Sequence, residues 1–102
     1  MCMKLFIDTS SNKKAVVKLG TQVLTKESTL WKSQLVLPMI TQLLKLQGAT
    51  LQNISEIEVV TKGDSFTGLR VGCAIANALG YALNIPVNGK RPNKLKIVAP
   101  EY

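Results

Sequence analysis

The sequence predicts an α/β fold built on a mixed sheet, and three observations carry that expectation. Short runs rich in aliphatic and β-branched residues recur at 4–7, 15–19, 22–26 and 57–61, with shorter candidates at 85–87 and 95–98. Two longer segments, 33–47 and 68–84, have helical length and composition. The resulting order, β-β-β-α-β-α-β, places a meander before two crossover helices, and a helix between strands implies parallel pairing through a right-handed crossover. The simplest layout is a mixed five-stranded sheet with two main helices, antiparallel on one side and parallel on the other, in a single domain over residues 1–102.

Taken in order, residues 4–7 form an unalternated apolar run that suits a central strand covered on both faces. Asp8-Thr9-Ser10-Ser11-Asn12 follows as a turn of small polar residues. Gly20-Thr21 separates the next two strands, and glycine first in a two-residue loop signals a type II′ hairpin. The first helix is expected to stop at Gly48, which suits the position just past a helix end. Pro38 falls inside this pattern, so the helix starts close to it or kinks there. A turn at 63–67 supplies Ser65 and Thr67 as capping candidates for the second helix.

Composition excludes several classes of function. At 46% hydrophobic and 19% charged, the chain is globular in composition rather than disordered. It contains no histidine, which removes Ser-His and Cys-His nucleophile pairs and the ring nitrogens of a typical zinc site. No metal site and no cofactor are expected. Two cysteines, Cys2 and Cys73, cannot make a disulfide framework and fit a reducing compartment. The first residues do not form a signal peptide, because the apolar run ends at Asp8. The most apolar stretch, 71–83, falls short of the roughly 20 residues needed to cross a bilayer. A cytoplasmic chain without membrane attachment is the expectation.

The two helices are unusual in how little polar surface they offer. Projected at 100° per residue, Leu35, Leu46, Met39, Leu43, Val36, Ile40, Leu44 and Leu37 spread over an arc of roughly 200°. A surface helix facing one core needs an apolar stripe only somewhat wider than about 100°. In the second helix Arg70 is the only charge; Val71, Ile75, Leu79, Ala82 and Leu83 form one face, expected against the sheet. Arg70, Cys73, Ala74, Asn77 and Tyr81 lie opposite, while Gly68, Gly72, Ala76 and Gly80 recur every four residues and would let a neighbour approach closely. Glycine weakens a helix by about 1 kcal/mol relative to alanine, so these positions need a packing reason. Either the helices pack on each other and the sheet, or part of their surface is a protein interface.

Two further sites stay open. Asp8, Thr9 and Ser10 at a strand end could hold phosphate or magnesium, as a vestigial phosphate loop, or close a turn through their own hydrogen bonds. The glycine-bounded turn at 63–68 has no Gly-Lys-Ser/Thr ending and is not a Walker A loop. Net charge is +7, with +3 from residues 1–20, +3 from 88–102 and +1 between. Basic ends lying together could attract RNA backbone, but with few aromatics they offer no stacking platform.

Ile7-Asp8-Thr9-Ser10, Ser33-Gln34 with Leu37-Pro38-Met39-Ile40, and above all Ser65-Phe66-Thr67-Gly68-Leu69-Arg70 carry a family resemblance. The run from Ala78 to Val87 continues it. The chain resembles the N-terminal half of the TsaB (YeaZ) family, accessory subunits in bacterial synthesis of tRNA threonylcarbamoyladenosine (t6A). Where that family has a glycine-proline-glycine turn before Ser65, this chain has Lys62-Gly63-Asp64, and Lys32 stands at a common family histidine. The resemblance implies an actin-like ATPase (ASKHA, RNase H-like) half-fold. It also implies a non-catalytic scaffold that binds the ATPase subunit TsaD, with TsaE as a further member of the assembly, homodimerisation when alone, and tRNA contacted only through the complex. On that reading the interface falls on Leu35, Met39, Leu43, Leu46, Arg70, Cys73, Asn77 and Tyr81. A basic RNA-binding module and a residual ATP-binding domain are the competing expectations.

Overall fold

In the computed structural model, residues 2–11, 13–27, 32–90 and 99 are described, the side chains of 32–34 excepted. Four strands form one sheet in the order β3-β2-β1-β4: β1 (Met3–Asp8), β2 (Lys14–Leu19), β3 (Gln22–Glu27) and β4 (Ile54–Val59). β1 pairs antiparallel with β2 and parallel with β4, and β2 pairs antiparallel with β3. The connection from β3 to β4 runs through helix α1 (Lys32–Leu46) and a short 3-10 turn at Leu51–Asn53. Helix α2 (Phe66–Leu83) follows β4. This is the mixed α/β arrangement of an actin-like half-fold.

Local chemistry explains most boundaries. Gly20 has φ +60 while Thr21 does not share a positive φ, so the hairpin turn is of the II′ rather than the I′ kind. At the end of α1, Gly48 has φ +62, its N–H donates to Lys45 O, and Ala49 N–H donates to Leu44 O. That pair of bonds is a Schellman close and satisfies two carbonyls the helix would leave open. Pro38 is tolerated inside α1, which runs through it without interruption. Ser65 caps α2 by accepting from Gly68 N–H at 3.0 Å, and Asn84 ends it in the left-handed region, φ 55 and ψ 50. Asparagine is among the few residues that accept that conformation readily.

The core lies on one face of the sheet, where Leu5, Ile7, Val17, Leu19, Ile57 and Val59 are buried beneath both helices. α1 covers β2 and β3, and α2 covers β4 and β1. The expectation that β1 is covered on both faces is corrected: it is central in the sheet, yet Lys4 is exposed and Phe6 and Asp8 only half-buried. Lys18 lies over the Phe6 ring at 5.2 Å, shielding it from the open side. β4 begins three residues earlier than its hydrophobic run indicates. A bulge at Ser55, whose hydroxyl donates to Met3 O, puts Ile54 and Ile57 on the same inward face despite their odd spacing.

The expected fifth strand is reduced to a single rung. Val87 bridges Ile57 in parallel, with Ile57 N–H donating to Pro86 O and Asn88 N–H donating to Ile57 O. Asn88 and Gly89 then adopt positive φ and turn the chain away. The Asn88 side chain continues the pairing: its Oδ1 accepts from Val59 N–H at 2.8 Å and its Nδ2 donates to Val59 O at 3.0 Å. Among the described residues the sheet therefore has four strands, not five, with Val87 bridging Ile57 in parallel and Lys90 in antiparallel fashion. The candidate strand at 95–98 lies outside the described residues.

Candidate functional site

The loop after β1 and the start of α2 come together. Asp8 Oδ1 accepts from both Ser10 N–H at 3.0 Å and Ser10 Oγ at 2.5 Å, closing an Asx turn. Ser65 N–H donates to Ser10 O at 2.9 Å, which ties this turn to the N-cap of α2. Thr9 is fully buried and its hydroxyl donates to Gly68 O. Gly63 is required by the same contact, since a Cβ there would lie 2.7 Å from Ser10 O. Asp8, Thr9 and Ser10 thus have hydrogen bonds that lock a strand end onto a helix start. Among the described residues no group of three or more His, Cys, Asp or Glu side chains could hold a metal ion.

The helix faces differ from the sequence expectation in an instructive way. The sheet-facing side of α2 consists of Gly68, Leu69, Gly72, Cys73, Ala76, Asn77 and Gly80, all buried. Of the residues expected inward, Ile75, Leu79 and Leu83 are half-buried and pack against the core, Val71 is half-buried, and Ala82 is exposed. Close approach decides the orientation. A Cβ on Gly72 would overlap Thr9 Oγ1 and lie 3.4 Å from Val59 Cγ2, so only a side-chain-free seam lets α2 lie this near the sheet. Cys73 and Asn77 go inward with that seam, and burial pushes the Cys73 thiol above its ordinary pKa.

Of the eight expected interface residues, four are therefore buried within this chain: Met39, Leu43 and Cys73 in the core, and Asn77 beside them on α2. Leu35 is half-buried against the core. Leu46, Arg70 and Tyr81 point outward, Leu46 and Tyr81 at 63% and 58% exposure. Ala74, placed on the same face by the sequence, is exposed beside them, and Thr67, Ala78 and Ala82 extend that face. On α2 the exposed stripe is Thr67, Arg70, Ala74, Ala78, Tyr81 and Ala82, in which Arg70 is the only charge. On α1, Leu37 is 49% exposed and lines a shallow groove with Pro38, Thr41, Gln42 and Lys45. The signal for the full stripe is the small-residue seam: with Gly72 against Thr9, Val59 and Ile7 of the sheet, the outward face is centred on Ala74 and Ala78.

The opposite face of the sheet is open and charged. Lys4 Nζ and Glu58 Oε2 form an ion pair at 2.9 Å, which raises the Lys4 pKa through the hydrogen bond and charge of Glu58. Register places Lys14 and Lys18 on this face as well, among Asp8, Glu27, Glu56 and Glu58. Basic and acidic groups are interleaved there, so the face is not the uniform cationic surface that phosphate backbone selects. Among the described residues no helix is long and apolar enough to cross a membrane.

Comparison with known proteins gives a family match and similar solved structures. The family model for TsaD, tRNA N6-adenosine threonylcarbamoyltransferase, matches residues 25–89, which include α1, β4 and α2. A solved structure of YeaZ from Pseudomonas aeruginosa superposes with a TM-score of 0.69 at 27% identity, covering 85% of this chain and 42% of that one. A second structure from the same organism, described as an uncharacterized protein with similarity to peptidase YEAZ, gives a TM-score of 0.71 at 27% identity and the same coverage. The chain spans about two fifths of the length of these structures.

Proposed function

We propose, because this chain belongs to the TsaD (tRNA N6-adenosine threonylcarbamoyltransferase) family, that it acts as a TsaB-like, non-catalytic subunit in t6A modification of tRNA. Its partner on this reading is a TsaD-like ATPase subunit, with TsaE as a further component, all in the cytoplasm, and tRNA is reached through the complex. The observation that carries the reading is the outward stripe of α2. An exposed helix face of three alanines, a threonine, a tyrosine and one arginine has almost none of the charge that keeps a surface helix in water. Half-buried Val71 and Ile75 border the stripe and widen the apolar area. The same face is open to a second copy of the chain when the partner is absent.

Chemistry by this chain alone has less support. Asp8, Thr9 and Ser10 are engaged in hydrogen bonds that hold the loop, and no histidine is present to activate a hydroxyl or thiol. Ala74→Arg and Ala78→Arg test the proposal. Both sites are exposed and arginine is a good helix former, so circular dichroism should be unchanged. A tagged chain co-expressed with the TsaD-like subunit of the same organism should capture it, and each substitution should abolish capture. Undiminished capture by both variants would overturn the assignment of this face; no capture by the unaltered chain would overturn the partnership.

A further inference from the structure

We draw no further inference here: the strongest candidate, the shallow groove on the outer side of α1 lined by Leu37, Pro38, Thr41, Gln42 and Lys45, carries nothing because nothing in the structure shows what covers it.

Discussion

Gly72 and Thr9 decide how α2 sits on the sheet. In an isolated helix, glycine to alanine stabilises by about 1 kcal/mol. Here the added methyl would meet Thr9 Oγ1, a short buried side chain already bonded to Gly68 O and unable to swing away. Overpacking of this kind typically costs about 1–3 kcal/mol. Gly72→Ala should therefore lower the urea midpoint of unfolding despite its better propensity, whereas a raised midpoint would show that the seam has slack. Cys73 reports on the same contact. Cys2 is exposed and Cys73 buried with a raised pKa, so iodoacetamide at neutral pH should modify Cys2 promptly and Cys73 only in denaturant. Equal rates in native buffer would place Cys73 outward, where the helical projection alone had put it.

At the scale of elements, small polar groups complete what the main chain leaves unfinished. Asn88 is the clearest case, because its amide stands in for the next residue of a strand beside Val59. Asn88→Gly keeps the positive φ permitted and removes only the side chain. The loss of two hydrogen bonds to a part-buried backbone should cost about 1–3 kcal/mol, measured by thermal or urea unfolding; an unchanged midpoint would mean that water replaces the amide without loss. The strands, helices and caps were legible in the sequence because hydrophobic runs, Gly20, Gly48 and Ser65 act locally. The Ser55 bulge and the strand-mimicking Asn88 amide were not, since each depends on a partner strand that sequence spacing does not show. The inward turn of Cys73 and Asn77 on α2 is hidden in the sequence for a related reason. Apolar periodicity around a helix is dominated by its larger side chains, whereas here backbone approach to β1 and β4 selects the smallest ones.

For the whole molecule, a sheet covered on one face and a helix with a bare outer stripe leave proton linkage as a simple probe of native packing. Cys73 and Lys4 both have pKa values raised in the folded state, the first by burial and the second by Glu58. Each group therefore binds its proton more tightly folded than unfolded. Their contribution to stability is complete below the unfolded pKa values and is lost as pH rises through the folded ones. The thiol is the first to matter, since an unperturbed cysteine titrates near 8.5 and lysine near 10.4. Lys4 is exposed at a surface pair that salt screens, so its share is small. The urea midpoint should hold level as pH rises from 7 to about 8 and fall above about 9. Cys73→Ala should flatten that alkaline fall while lowering the plateau slightly through the lost sulfur contact. A fall of the same steepness in the variant would assign the alkaline sensitivity elsewhere and remove Cys73 from the buried seam that orients α2.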